Sequence, residues 1–193
     1  MSILDLGNNL YLFDCFGVVV SDVSTLWMNK HFDKQQQAEI CKDLFRKVDT
    51  GKITQQQVYE QLATRCNMPV DALEREWDSC LSVNWDTIEL INKLRSKGAT
   101  VALLSNAAVE YIDYIFDKFD LRKYFNKLFV SSQYGYAKPD IELYRIGVNS
   151  FDRKFGTIYF TDDNPNNLVN LQQLGITPLL FTSASELAKK LQI

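Results

Sequence analysis

The chain has 193 residues, 46% of them hydrophobic and 23% charged, with a formal net charge of −3. That is the composition of a soluble globular protein with room for one good core, or for one domain carrying a sizeable insertion. No basic stripe offers itself to a nucleic-acid backbone, and no window reaches the roughly 18 consecutive apolar residues needed to span a bilayer. The opening stretch MSILDLGNNL has neither the basic flank nor the apolar run of a signal peptide. Cys15, Cys41, Cys66 and Cys80 form no C-x-x-C pair and the chain has a single histidine, His31, so neither a zinc site nor a disulfide framework is expected. Free thiols in a reducing, cytoplasmic setting are the expectation, and Cys15 reads as a buried structural thiol rather than a nucleophile.

In chain order, the first element is the apolar run Leu10-Tyr-Leu-Phe-Asp14, a buried strand that ends on a lone acid. From about 21 to 84 no convincing strand follows. Apolar spacing predicts helices over 34–48, 54–66 and 70–81, with Asp49-Thr-Gly-Lys52 as a turn and Thr54 as an N-cap. Residues 21–84 therefore read as a helical subdomain inserted after the first strand, with residues 1–20 and 85–193 forming the core domain. A helix over 86–97 comes next, with Ile88, Ile91 and Leu94 inward and Gly98 as its stop. Strands then recur at 100–104, 127–130, 157–160 and 177–181, and amphipathic stretches at 107–119, 140–150 and 164–174 alternate with them. This alternation predicts an α/β fold with a doubly wound parallel sheet and right-handed crossovers.

Ligands of such sheets bind outside the carboxyl ends of the strands, so the residues at those ends carry the functional reading. They are Asp14; then Ser105-Asn106; then Lys138, in the loop SSQYGYAKPD; then Asp162-Asp163-Asn164, with Asn167 nearby. Taken singly, each is an ordinary cap or turn residue, and Asp140 after Lys138-Pro139 reads as the cap of the next helix. Taken together they fit one chemistry. Asp14 and Asp163 offer hard oxygen ligands to Mg²⁺. Ser105, with amides at a helix N-terminus, can hold phosphate oxygens. Lys138 adds positive charge beside the carboxylates and the transferring group, which leaves Asp14 to attack phosphorus and form an aspartyl-phosphate.

These motifs, FDCFGVV, LLSNA, YAKPD and FTDDNPNN, resemble in order and strand context the four motifs of the haloacid dehalogenase superfamily. The resemblance covers essentially the whole chain. It implies a sheet of order 5-4-1-2-3 and a helical cap of the family's first cap class. Catalytic roles would fall on Asp14, Ser105, Lys138 and Asp162, and phosphate binding on Ser105, Asn106, Lys138 and Asn167. The metal, Mg²⁺, would be held by Asp14, the Phe16 backbone carbonyl and Asp163. The stretches LRSKGATVALLSNA and DDNPNNLVNLQQLGIT are most similar to small sugar-phosphate phosphatases of the glucose-1-phosphate type. A small phosphorylated metabolite is then the expected partner of a monomer or weak homodimer, with no nucleic acid and no membrane involved.

One position departs from that pattern. Most phosphatases of the family carry a second aspartate two residues after the nucleophile, as the proton carrier; here it is Phe16. General acid–base help is worth about 10²–10⁴ in rate, so three readings stay open. The chain is a phosphatase for undemanding leaving groups, or one that draws its proton from water or a cap residue such as Asp22 or His31. It is a binding protein with little turnover. Or it resembles the dehalogenases, which also have an aromatic residue there and use a cap arginine, for which Arg46 is the available counterpart. The segment Val20–Trp27 is expected to face the pocket, and Tyr111, Tyr114, Phe116 and Phe119 read mostly as core or partner contacts.

Overall fold

The computed structural model describes residues 6–193. The first five residues, part of the stretch read above as lacking a leader, lie outside the described residues. Five strands, β1 (Leu10–Phe13), β2 (Thr100–Ser105), β3 (Lys127–Val130), β4 (Ile158–Asp162) and β5 (Ile176–Leu180), form one parallel sheet ordered β3-β2-β1-β4-β5. This is the expected 5-4-1-2-3 order read from the other edge. β1 lies in the middle, with Phe13 level with Leu103 of β2 and Thr161 of β4. Because side chains alternate along a strand, Leu10 and Leu12 enter one core with Ala102, Leu104 and Phe160, and Tyr11 and Phe13 enter the other with Val101 and Leu103. Both faces are dry, which is why these strands read as unbroken apolar runs.

The helices of residues 23–79 are α1 (Val23–His31), α2 (Lys34–Ile40), α3 (Arg46–Asp49), α4 (Gln55–Cys66) and α5 (Val70–Ser79), with a π-helical turn (Cys41–Phe45) joining α2 to α3. Their ends are written in the sequence. Asp22 accepts from the Thr25 amide at the start of α1, and Asp33 with Gln36 and Thr54 with Gln57 close reciprocal capping boxes on α2 and α4. Their interior is an aromatic knot in which Trp77 of α5 meets Trp27, Phe45 and Tyr59. After them come α6 (Trp85–Ser96), α7 (Val109–Lys118), α8 (Ile141–Asn149) and α9 (Ala184–Leu191). α6, α7 and α9 share the core of Tyr11 and Phe13, and α8 shares that of Leu10 and Leu12.

Three expectations are corrected. The stretch 164–174 is not one helix but two 3₁₀ turns, Pro165–Leu168 and Leu171–Leu174. Val169 between them is extended and Asn170 is left-handed at φ 60°, so the helical ladder cannot pass. Leu168, Leu171 and Leu174 are spaced by three, which suits a 3₁₀ turn as well as an α-helix. Second, the helical region holds a further helix, α1, beyond those expected over 34–48, 54–66 and 70–81, and Asp22 caps its start. Third, Asp140 precedes α8 without bonding its amides; its carboxylate is taken by Arg46, Nη2 to Oδ2 at 2.6 Å.

Candidate active site

β1 delivers Asp14 at the end of an apolar strand, and the chain then turns sharply. The amides of Val19 and Val20 both donate to the Cys15 carbonyl, at 2.7 and 2.9 Å. Gly17, at φ +78°, makes that turn beside Asp163. A Cβ on Gly17 would lie 2.2 Å from Asp163 Oδ2, so any other residue would displace that carboxylate. Cys15 is fully buried and its thiol is pushed well up by burial and by Asp14. That is the state of a structural thiol.

Lys138 organises the centre. Its Nζ lies 2.7 Å from Asp14 Oδ1 and 2.7 Å from Asp162 Oδ2, and all three side chains are buried. Burial works against the ammonium, but the two carboxylates outweigh it and the Lys138 pKa is raised. Asp162 is saturated. Besides Lys138 it accepts from both the Asn164 amide, at 2.8 Å, and Asn167 Nδ2, at 3.1 Å. Asp14 accepts from its neighbour's amide, Cys15 N to Oδ1 at 2.6 Å. Burial pushes its carboxyl well above the usual carboxylate range; Lys138 pulls it back and Asp162 pushes it further up.

Asp163, by contrast, is exposed and bonded to no other side chain among the described residues. Burial of part of its surface, with Asp162 and Asp22 nearby, raises its pKa. Asp14, Asp162 and Asp163 each present an oxygen within 4.8 Å of one another. Three carboxylates facing one ammonium leave a surplus of negative charge on hard oxygen donors, and a divalent hard cation fits that donor set.

The remaining expected residues surround this cluster. Asn106 clasps the Lys138 backbone in both directions, Lys138 N to Oδ1 at 2.7 Å and Nδ2 to Lys138 O at 3.0 Å, so it fixes the lysine loop. Ser105 is the last residue of β2 and wholly buried, and its hydroxyl finds no partner among the described residues. An unmade hydrogen bond of this kind costs roughly 1–3 kcal/mol.

The cluster opens on a cleft of about 250 Å³ whose walls include Asp14, Phe16, Asn106, Lys138, Asp163 and Asn167. Asp22, Val23, Ser24, Phe45, Val48, Asp49, Gln55 and Trp77 close it from the helical segment of residues 22–79. Val23 and Ser24 face the cleft as expected, but Trp27 is packed away in the aromatic knot. His31 is also remote, stacked on Trp27 and paired with Glu76 at 2.7 Å. Asp22 lines the cleft with one oxygen committed to capping α1. Arg46 is turned to the Ala137 carbonyl and Asp140 and is not among the cleft residues. Tyr111, read from spacing as core or a partner contact, is a buried core residue that also borders the cleft. It stacks on Phe16 with centroids 5.9 Å apart and accepts from Trp77 Nε1 at 2.9 Å.

A family profile of haloacid dehalogenase-like hydrolases matches residues 9–175. The chain belongs to that family. Among curated relatives, the sesquiterpene phosphatase astK of Aspergillus oryzae is 24% identical over 148 residues, covering 75% of this chain and 76% of its own. The drimenol cyclase drtB of Aspergillus calidoustus is 26% identical over 196 residues; the match takes in 98% of this chain but 35% of that protein, about a third of its length. Among solved structures, the HAD family enzyme bt-2542 of Bacteroides thetaiotaomicron superposes with a TM-score of 0.76 at 20% identity, over 96% of this chain and 98% of that one. The same enzyme has been crystallised with magnesium and inorganic phosphate, TM-score 0.71 at 22% identity, over 92% and 96%. The L-2-haloacid dehalogenase RSc1362 superposes with a TM-score of 0.70 at 16% identity, over 96% and 99%. The fold is therefore that of haloacid dehalogenase-like hydrolases, and no helix among the described residues is long and apolar enough to cross a membrane.

Proposed function

We propose that this hydrolase is a Mg²⁺-dependent phosphatase that cleaves the phosphomonoester of a small metabolite through an aspartyl-phosphate on Asp14. The observation that carries the reading is the asymmetry of the acid cluster. Lys138 binds Asp14 and Asp162, and Asp163 is left over with its carboxylate toward the cleft. Asp163, Asp14 and the Phe16 carbonyl would hold the cation, which when bound supplies charge stabilisation to an anionic substrate. Asp162 positions Lys138, and Lys138 holds Asp14 and receives a phosphoryl oxygen. The orphaned Ser105 hydroxyl, with Asn106 and Asn167, supplies further partners to the phosphate. Asp14 Oδ then attacks phosphorus in line, and water later cleaves the acyl phosphate.

The helices of residues 21–84 serve as the cap that closes the cleft against water and sets specificity. The phosphate ligand of bt-2542 and the activity named for astK agree with this reading. The cleft wall mixes Asp22, Ser24 and Gln55 with Phe45, Trp77 and Tyr111, so the deciding panel pairs a hexose 1-phosphate with a terpenoid alcohol monophosphate.

Phe16 alone favours a second reading, halide displacement from a 2-haloacid. The three carboxylates and the engagement of Arg46 elsewhere weigh against it. Phosphate release assayed with and without Mg²⁺ tests the proposal. Turnover that needs the metal and vanishes in Asp14→Asn is expected. Metal-independent halide release, or no hydrolysis of any phosphoester, would overturn it.

A further inference from the structure

On the phosphatase reading just given, the reaction lacks a proton carrier at position 16, and the cap side of the cleft supplies a carboxyl that nothing else uses. Asp49 is the last residue of α3 and lines the same cleft as Asp14 and Asp163. Among the described residues no hydrogen bond or ion pair engages it. Asp49 is half-buried, and a carboxyl partly withdrawn from water without a partner is costly to ionise, unless its chemistry is used.

Three contacts hold it in place. Arg46, one turn earlier, donates to the Ala137 carbonyl at 3.1 Å and to Asp140 at 2.6 Å, on either side of Lys138 in the loop that feeds the acid cluster. Gly51, at φ +70°, lies so close to the Ser132 carbonyl that a Cβ would come within 2.6 Å of it. The Gln55 amide donates to Glu110 of α7 at 2.9 Å. The segment around Asp49 is thus tied to the core at three points, Arg46 before it and Gly51 and Gln55 after it, which fixes the backbone that carries its carboxyl at the cleft.

We propose that Asp49 is the general acid and base of this enzyme, a catalytic residue brought by the cap in place of the missing aspartate at position 16. In the first half-reaction an Asp14 oxygen bonds to phosphorus and the ester P–O bond breaks. Its electron pair stays on the leaving oxygen, which takes the proton of the Asp49 carboxylic acid and departs as the alcohol. In the second, the Asp49 carboxylate takes a proton from water and the water oxygen bonds to phosphorus. The bond from phosphorus to Asp14 breaks, restoring the Asp14 carboxylate and releasing inorganic phosphate.

Both protonation states of Asp49 must be accessible. Burial pushes its carboxyl up to about 7, against the pull of Lys138 and Arg46. The other ionisable groups around it are Cys41 and Asp22 on the cap side, and Asp14, Asp163 and Tyr111 across the cleft.

The test uses the full chain with Mg²⁺ and two monoesters, one alkyl phosphate with a basic leaving group and one aryl phosphate with a weakly basic one. In single turnover, Asp49→Asn should slow transfer from the alkyl ester about 10²–10³-fold and from the aryl ester less than about tenfold, since only the former needs a proton. Asp49→Glu should recover the alkyl ester to within about tenfold, and in the wild type the alkyl rate should carry an ionisation near pH 7 that Asp49→Asn lacks. Equal losses on both esters in folded Asp49→Asn, or no loss on either, would overturn the assignment while leaving the phosphatase reading intact. If Asp49→Asn does not fold, an Asp49→Glu variant that loses as much on the aryl ester as on the alkyl ester would overturn it instead. A wild type that turns over neither ester removes the phosphatase reading and this assignment with it.

Discussion

The cleft has a floor and a roof, built on different terms. The floor is the sheet edge. Lys138, Asp14 and Asp162 are buried together, and Asn106, Asn164 and Asn167 leave few lone pairs unused. Removing one member leaves buried charge behind. The roof is helical and meets the floor through a handful of contacts: Arg46 on the lysine loop, Gly51 on Ser132 and Gln55 on Glu110. Of its acids, Asp22 accepts from the Thr25 amide and the Ser24 hydroxyl through one oxygen, and the Asp49 carboxylate accepts from no group among the described residues. The floor holds charge by pairing it; the roof holds charge by withdrawing it from water. Pairing gives fixed geometry, and withdrawal gives a carboxyl that titrates near neutrality.

The largest blow to the floor is Lys138→Met. It strands Asp14 and Asp162 together, and should cost about 3–5 kcal/mol, read from denaturant unfolding, and abolish phosphate release. If stability were unchanged, the floor would not be the rigid half. On the roof, Gly51→Ala forces a Cβ against the Ser132 carbonyl in a left-handed turn. A loss of about 1–3 kcal/mol is expected, seen as a lowered Tm, with slower turnover as Asp49 is displaced.

Smaller and opposite in sign is Asp49→Asn. A carboxyl whose folded pKa is raised adds stability fully below its unfolded value, near 4, and loses it as pH rises through about 7. The wild type should therefore lose more stability than Asp49→Asn between pH 4 and pH 8. A pH series of unfolding midpoints checks this, and parallel curves would mean that the carboxyl is not withdrawn from water. Smallest is Thr54→Ala, which removes the N-cap of α4. About 1 kcal/mol is expected, with kcat unmoved.

The same division decides what could be read from the sequence. The floor was legible because strand ends are legible. Short apolar runs stop at Asp14, Ser105 and Asp162, and the parallel order brings those stops to one edge whatever the sequence distance between them. Lys138 was legible for the same reason, as the one lysine in the loop after β3. The roof was not. Asp49 opens an Asp-Thr-Gly-Lys turn indistinguishable from any surface turn, and only docking against Ser132 and Glu110 makes it a cleft residue. Tyr111 carries a helical period that marks burial but not which cavity it borders. The expectation that His31 or Asp22 would replace the lost acid rested on nearness to the hinge along the chain. His31 was instead drawn off by Trp27 and Glu76, while Asp22 does reach the cleft, with one oxygen held by the cap. The misread stretch 164–174 failed because a leucine every third residue does not separate the two helical forms.

The stack that begins at Phe16 also has an optical consequence. Phe16 rests on Tyr111, Tyr111 accepts from Trp77, and Trp77 packs on Trp27 at 5.6 Å. The chain has three tryptophans, and two of them sit on this ladder, one of them bordering the cleft. The third, Trp85, is exposed and contributes a steady background. A molecule entering the cleft, or a shift of the roof against the floor, changes the surroundings of Trp77 directly. The side chain that removed a proton carrier from position 16 thereby joins the site to an intrinsic fluorophore, and emission at the tryptophan band becomes a label-free record of when the cleft is filled.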